Sequence, residues 1–375
     1  MIQVKRILLA SDFLMTKESE QDSNLRWLRD LYASPIGQAC GTRIRVASFY
    51  FDRSWTFSRD TFFKKSTIDF SPVDVHLSFD PECLSEASLN MVSAAIGPDT
   101  LVIGYEMSVQ TRQVLDRIGQ PYIDIWLGPV RFLDDLTFAI RASDPEMNER
   151  IDKFAIDPEY IEVQARILKV QSYRGFSRQA LVLKPESALF AGQLLTDKAL
   201  LKDGRMMSLL DFKKEFSEIS KRHSTVYYAR HPFLKKGDER ILAFARSFRN
   251  VVMSETTGYG ILCHENLASV YGITSSLVTE ARYFGKEARH LSQPTFETVG
   301  VGEQIYRLVM QQMLFPSFWR AIFNGSIEDS VNPLSMGKDK LRDALSFYWS
   351  YRQIDKLEYV RAIAARNAKI DADII

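Results

Sequence analysis

The sequence has few cysteines and no long apolar run. Its three cysteines, Cys40, Cys83 and Cys263, lie far apart and are odd in number. They indicate neither a disulfide framework nor a zinc site, and they favour a reducing compartment. No segment approaches the ~20 consecutive apolar residues of a membrane-spanning helix, and residues 1–10 lack the apolar core of a signal peptide. We therefore expect a cytoplasmic protein, with peripheral binding to a membrane surface as an alternative.

An excess of charge of either sign is also missing. The chain carries 48 Lys and Arg against 47 Asp and Glu, a net charge of +1, so bulk charge gives no reason to expect a nucleic-acid partner. Internal repeats and low-complexity stretches are absent from the sequence as well. With 46% hydrophobic and 25% charged residues over 375 positions, the composition is that of a globular protein with room for two domains.

Short apolar runs that precede polar motifs organise the second half of the chain. Residues 188–191, 225–228 and 267–271 are predicted to be buried strands, and helical patterns at 209–221 and 240–248 separate them. Strands that alternate with helices at this spacing predict a parallel sheet. Ligands of such sheets bind beyond the carboxyl ends of the strands. We therefore expect the polar residues that follow these strands to converge on one crevice, namely Asp197, His231, Ser275 and Ser276.

The motif Thr274-Ser275-Ser276 lies between a predicted strand and a predicted helix. Ser and Thr favour helix N-caps, and a helix start offers N–H groups and a positive dipole end that suit a phosphate. His231 is placed to donate to the same phosphate, and Arg230 to add positive charge. Glu280, one turn into the helix, is a candidate acceptor for ribose hydroxyls. Each residue alone also fits a plain cap, turn or solvated position, so the ordered set is the specific signal.

These motifs resemble a known family. His231-Pro232, followed by Ser275-Ser276 and then Glu280-Ala281, is similar to the pattern of bacterial sialyl-, polysialyl- and Kdo-transferases, which use CMP-activated acidic sugars. Together with the spacing from Asp197 to His231, the pattern most resembles the retaining β-Kdo transferase module of lipopolysaccharide O-antigen or capsule synthesis. Kdo is a keto-deoxy-octulosonic acid. The resemblance covers most of the chain and is less specific in its amino-terminal half.

The resemblance implies an α/β fold with two Rossmann-like domains that face an interdomain cleft, as in GT-B enzymes. We predict an acceptor-side domain at residues 1–178, a CMP-sugar domain at 179–293, and carboxyl-terminal helices at 294–375 that pack back across the domains. Those helices are predicted at 302–314, 317–323 and within 338–375. The implied donor is CMP-Kdo, with no metal or other cofactor. The implied acceptor is an oligosaccharide or lipid-linked glycan, and polysaccharide-assembly proteins or the inner membrane are further candidate partners.

Two carboxylates in the amino-terminal half are candidates for acid/base chemistry. Glu106 follows a predicted strand at 100–103, and Asp124 lies within another at 122–125. As a pair at strand ends they suit proton transfer to or from a substrate. Each alone is more typical of a cap or a salt bridge, and the sequence leaves open which of them is the base.

Arg131 is a candidate ligand for the carboxylate of an acidic sugar, because a guanidinium binds a carboxylate through two parallel hydrogen bonds. The alternative is a structural ion pair with Asp134 or Asp135, which follow closely in the chain. The sequence does not decide between the two.

The expected mechanism combines these residues. Departure of a phosphate monoester needs charge stabilisation more than protonation. Retention is most simply explained by two inversions, in which a carboxylate attacks first. We predict Asp197 as this nucleophile, the role that the resemblance also implies, with Gln193 among the donor-binding residues. Glu106 is then the expected base, and Asp124 its rival.

Other functions remain compatible with the sequence. An inverting transferase of the CMP-sialic-acid type would need a base but no nucleophile. A non-catalytic nucleotide-binding subunit of a polysaccharide assembly complex would bind CMP without turnover. A UDP-sugar epimerase also uses two Rossmann-like domains.

Overall fold

The computed structural model describes residues 5–16, 18–66, 79–176, 182–202, 205–231, 236–254, 258–298, 305–324 and 336–349. The chain forms two compact units. The first unit contains Met1–Gly128, Asp135–Ile156 and Glu297–Trp349, and the second contains Pro129–Asp134 and Asp157–Phe296. Each unit has an α/β composition with a largely or wholly parallel sheet, which confirms the predicted fold class.

The strands are β1 (Arg6–Ser11), β2 (Ile44–Val46), β3 (Thr100–Tyr105), β4 (Tyr122–Leu127), β5 (Phe138–Ala142), β6 (Ser187–Ala191), β7 (Leu201–Lys202), β8 (Arg205–Met206), β9 (Val226–Ala229), β10 (Val251–Met253), β11 (Leu267–Gly272), β12 (Glu287–His290) and β13 (Arg307–Val309). The α-helices are α1 (Glu18–Leu28), α2 (Ser34–Cys40), α3 (Arg59–Lys65), α4 (Glu86–Ile96), α5 (Val109–Arg117), α6 (Pro145–Asp152), α7 (Pro158–Phe176), α8 (Lys213–Arg222), α9 (Glu239–Arg246), α10 (Gly258–Leu262), α11 (Ser276–Ala281), α12 (Pro316–Asn324) and α13 (Lys340–Trp349).

The first unit is built on a sheet with the strand order β13-β5-β4-β3-β1-β2. Strands β2, β1, β3 and β4 run parallel, while β5 and β13 add to the edge in antiparallel fashion. Every residue of β3 and β4 is buried, as expected for central strands that are covered on both faces. The chain reverses its direction of winding between β1 and β3, so a crevice is expected at their carboxyl ends.

The second unit contains a parallel sheet with the strand order β10-β9-β6-β11-β12. Its winding reverses between β6 and β11, which sets the switch point of this sheet. Aromatic rings fill the space beside β6: Phe190 stacks on Tyr228 at a centroid distance of 5.7 Å and meets Phe216 edge-on at 5.1 Å. This packing fixes the strands that the candidate site residues follow.

The carboxyl-terminal region differs from the prediction. The helix predicted at 302–314 is wrong: β13 pairs with β5 there, followed by a 3-10 turn at Gln311–Leu314, and residues 302–304 lie outside the described part of the chain. A short apolar run is compatible with a strand or with a helix. Here it forms a strand because it pairs with β5. Helix α12 matches the prediction for 317–323, and α13 lies within 338–375, whose residues from 350 on are also outside the described part.

The compact units also divide the chain differently from the predicted domains. The passage from the first to the second unit comes after Ile156, ahead of α7, and Glu297–Trp349 belongs to the first unit. The predicted boundary at 178 and 179 lies in a stretch outside the described residues. Among the helices that the structure describes, none combines the length and the apolar content needed to cross a membrane.

Candidate functional site

A side-chain bridge spans the switch point of the second unit. The Gln193 carbonyl oxygen accepts a hydrogen bond from the Thr274 backbone N–H at 2.9 Å, and its amide nitrogen donates to the Thr274 hydroxyl at 3.0 Å. Gly192 lets the end of β6 lie close to the end of β9, since a Cβ there would lie 2.9 Å from the carbonyl oxygen of Ala229. The bridge therefore joins the ends of β6 and β11 where an α/β sheet binds its ligand.

Asp197 lies beside this bridge. It is the N-cap of a 3-10 turn at Lys198–Leu200, and its Oδ1 accepts from the Ala199 N–H at 3.0 Å. Its Oδ2 lies 3.5 Å from the amide nitrogen of Gln193, a long and weak contact. The capping bond fixes one oxygen of the carboxylate and turns the other toward the bridge.

His231 follows β9 and is partly buried. Burial lowers the pKa of its imidazole below the ordinary value, the charge of Asp197 raises it, and the charge of Arg131 lowers it further. Asp197, Arg131 and His231 all belong to the second unit. At neutral pH an imidazole with a lowered pKa is mostly neutral and donates one N–H.

Helix α11 begins at Ser276 with Ser275 as its N-cap, as predicted. Among the described residues, the Ser275 hydroxyl has no capping hydrogen-bond partner. The Ser275 carbonyl oxygen lies 3.1 Å from Nε2 of His290, at the end of β12. The Ser275 hydroxyl is thus not engaged as an ordinary cap, which is compatible with its predicted part in binding an anion.

Glu280 differs from the prediction. Its side chain is 1% exposed, and its Oε1 accepts from the Arg131 N–H at 2.6 Å and from the Tyr259 hydroxyl at 2.7 Å. Burial raises the pKa of Glu280 to about 7, against the lowering effect of these donors. A carboxylate turned inward onto protein donors contradicts the predicted contact with ribose hydroxyls.

Arg230 also differs from the prediction. Its guanidinium forms a bidentate pair with Asp238, at 2.8 Å and 2.6 Å, and Asp238 is 1% exposed. A buried carboxylate needs this partner. Arg230 therefore pairs with the N-cap residue of α9, and this pair already neutralises the positive charge that was predicted to bind the phosphate.

Asp124 lies in the core of the first unit. It is 0% exposed and accepts from four donors: Arg112 Nη1 at 3.1 Å, Trp126 Nε1 at 2.8 Å, the Tyr306 hydroxyl at 2.6 Å and the Met107 N–H at 3.1 Å. Burial raises the pKa of Asp124 to about 7, opposed mainly by the charge of Arg112. A carboxylate enclosed in this way is a structural group, which contradicts its candidacy as the base.

Glu106 lies at the carboxyl end of β3, next to the switch point of the first sheet. Its backbone has a φ of 52° and donates its N–H to the Ile125 carbonyl oxygen at 2.8 Å. The left-handed region is costly for a residue other than glycine and is found at functional sites. This placement keeps Glu106 as the candidate base.

Asp12 is a second enclosed carboxylate of the first unit. It follows β1, is 2% exposed, and accepts from the Ser108 N–H and the Ser108 hydroxyl at 3.2 Å each, and from the Thr111 hydroxyl. It thereby ties the end of β1 to the start of α5.

The aspartates near Arg131 have other partners. Asp134 accepts from the Tyr160 hydroxyl at 3.2 Å. Asp135 accepts from the first N–H groups of α13, at Leu341 and Arg342, at 2.8 Å and 2.9 Å. Among the described residues no group of three or more His, Cys, Asp or Glu could hold a metal ion.

No family model matches the sequence, and comparison with curated proteins gives no match. Among solved structures, the β-Kdo 2,7 transferase KpsC of Thermosulfurimonas dismutans is 14% identical, with a TM-score of 0.37 over 63% of this chain and 80% of that one. The β-Kdo 2,4 transferase KpsC of the same organism is 14% identical, with a TM-score of 0.38 over 84% and 90%.

A third solved structure, the UDP-GlcNAc 2-epimerase of Methanocaldococcus jannaschii, is 10% identical, with a TM-score of 0.27 over 75% of this chain and 81% of that one. The two transferases belong to the class that the strand-end motifs resemble. All three TM-scores lie below 0.5, so the function rests on the residues of this chain.

Proposed function

We propose that this chain is a glycosyltransferase that moves Kdo from CMP-Kdo to a saccharide acceptor with retention of configuration. The observation that carries the proposal is the meeting of Gln193, Asp197 and Thr274 at the switch point of a parallel sheet. His231 comes after the neighbouring strand β9. The switch point is the place where α/β sheets bind nucleotides. It also holds a carboxylate that a nucleophilic mechanism requires.

The donor contacts follow from the chemistry of the site. His231 donates an N–H to the phosphate, with the hydroxyls of Ser275 and Ser276 as further donors. Arg131 binds the carboxylate of the acidic sugar. The departing CMP gains negative charge on its phosphate, and these donors stabilise it without a proton transfer.

Asp197 forms the covalent intermediate. Its carboxylate oxygen bonds to the anomeric carbon as the bond from that carbon to the phosphate oxygen breaks, and CMP leaves with the electron pair. The acceptor oxygen then bonds to the anomeric carbon, Asp197 leaves as a carboxylate, and the hydroxyl proton passes to a base. Glu106 is our candidate for this base. Two inversions give net retention.

Asp197→Ala tests the proposal. We expect transfer from CMP-Kdo to fall by at least ~1000-fold, because the nucleophile is lost, while affinity for CMP changes by less than about threefold. Product formation is followed by chromatography and CMP binding by calorimetry. The matched control is Asp211→Ala, since Asp211 is an aspartate of the second unit that belongs to the capping box of another 3-10 turn.

Each outcome of this experiment is informative. Transfer by Asp197→Ala at near the normal rate contradicts the nucleophile assignment. An inverted product from the unaltered protein contradicts retention and favours a transferase of the CMP-sialic-acid type. CMP binding without turnover indicates a binding subunit, and activity with a UDP-sugar alone indicates an epimerase.

A further inference from the structure

The segment Pro129–Asp134 leaves the first unit after β4, packs with the second unit, and then returns to β5. Its backbone is held by one side chain. The Arg131 N–H donates to Glu280 at 2.6 Å, and the Phe132 N–H donates to the same carboxylate. The Tyr259 hydroxyl, at 2.7 Å, completes the set of donors.

Aromatic packing secures the same segment. Phe132 is 0% exposed, and its ring lies 5.1 Å from that of Phe284 and 6.4 Å from the rings of Tyr259 and Tyr283. Phe132 thus anchors the segment through apolar contact, and Glu280 fixes the backbone at Arg131 and Phe132. A buried carboxylate that accepts two consecutive backbone N–H groups specifies the local chain direction.

The position of Arg131 gives this contact a consequence for binding. Arg131 is the proposed ligand of the sugar carboxylate, it belongs to the same compact unit as His231, and its charge lowers the pKa of that imidazole. We propose that Glu280 is a positioning residue, which holds the Pro129–Asp134 segment so that Arg131 faces the donor site and selects a nucleotide sugar with a second anionic group. The identity of that donor rests on the proposed function, whereas the contact itself does not.

A positioning role and a direct contact with ribose predict different effects of a Glu280 substitution on the binding of CMP and of a CMP-sugar. If Glu280 acts through Arg131, its loss weakens the binding of a CMP-sugar that carries a carboxylate and leaves the binding of CMP nearly unchanged. If Glu280 bound ribose, its loss would weaken both ligands by the same factor. If it only stabilised the fold, the two ligands would again change together.

A double-mutant cycle tests the link between the two residues. Calorimetric titrations use CMP and CMP-Kdo with the unaltered protein, Glu280→Ala, Arg131→Ala and the double variant, and Glu218→Ala on the exposed face of α8 is the control. We expect each single variant to weaken CMP-Kdo binding at least tenfold and CMP binding less than threefold. The double variant should bind CMP-Kdo no more weakly than whichever single variant binds it less tightly. Losses that multiply, or a loss shared equally by both ligands, would overturn the proposal.

A second measurement needs no ligand. In the unaltered protein the amide hydrogens of Arg131 and Phe132 should exchange slowly with solvent. In Glu280→Ala they should exchange at least tenfold faster, and in Glu280→Gln, whose carbonyl oxygen still accepts, the change should be smaller. Rapid exchange in the unaltered protein would overturn the proposed contact even if the protein transfers Kdo. Slow exchange without CMP-Kdo binding would keep the contact and reject the proposed donor.

Discussion

Replacement of Asp124 distinguishes a structural carboxylate from a catalytic one. Asp124→Ala removes an acceptor that is 0% exposed and leaves Arg112, whose side chain is 11% exposed, without its partner at 3.1 Å. Removal of one member of a buried ion pair typically costs about 3–5 kcal/mol, because the other charge stays buried. We therefore expect the free energy of unfolding of the first unit to fall by about 4 kcal/mol.

The assay is urea unfolding at pH 8, followed by tryptophan fluorescence and circular dichroism. Trp126 donates to Asp124 at 2.8 Å, so its fluorescence reports on this part of the core. Asp30→Ala is the matched control, because Asp30 pairs with Arg29 at the surface and such pairs contribute less than about 1 kcal/mol. A loss below about 1 kcal/mol in Asp124→Ala, together with loss of transfer, would refute the structural assignment.

The pH dependence of stability gives an independent check on Asp124. Burial raises its pKa to about 7 in the folded protein, while the unfolded chain has the ordinary value of about 4. Between these values the folded state binds more protons, so this group makes the free energy of unfolding fall as pH rises from about 4 to about 7. Asp124→Asn should lack this contribution. An equal slope in both proteins would contradict the raised pKa.

Two further variants test other placements. Glu106→Gly should raise the free energy of unfolding by about 1 kcal/mol in urea titrations, because glycine relieves the left-handed backbone at φ 52°. It should also lower the rate of transfer if Glu106 is the base. A lower free energy of unfolding would contradict the backbone strain at this residue. Arg230→Ala should lower the free energy of unfolding by about 3 kcal/mol, since it leaves the buried Asp238 unpaired. The affinity for CMP, measured by calorimetry, should change little. A large loss of CMP affinity at unchanged stability would favour the predicted contact with phosphate.

Three strands of the second unit's sheet could be predicted because their signals are local, whereas β10 and β12 were not predicted. Strands β6, β9 and β11 are short apolar runs that end in glycine or polar residues, and the helices between them have a regular apolar period. The order of strands and helices then determines a parallel sheet. That order also underlies the expectation that the polar residues after these strands, Asp197, His231, Ser275 and Ser276, converge. The switch point itself depends on the spatial order of the strands, which only the structure gives.

The environments of the carboxylates could not be predicted, because their partners are distant in the chain. Glu280 looks like a solvated helix residue in its own sequence context, yet its donor Arg131 comes 149 positions earlier. Asp124 accepts a hydrogen bond from Tyr306, which lies 182 positions later. Strand β13 also depends on a contact that is distant in the chain, because it is a strand through its pairing with β5. Local periodicity contains no information on such contacts.

The most direct test of the donor site is a crystal structure of the protein with CMP bound. We expect a phosphate oxygen within about 3 Å of the His231 imidazole, beyond the ends of β6 and β11, with the Asp197 carboxylate turned toward the position of the sugar. A CMP molecule bound elsewhere, or an Asp197 that points away from the phosphate, would contradict the proposed transferase.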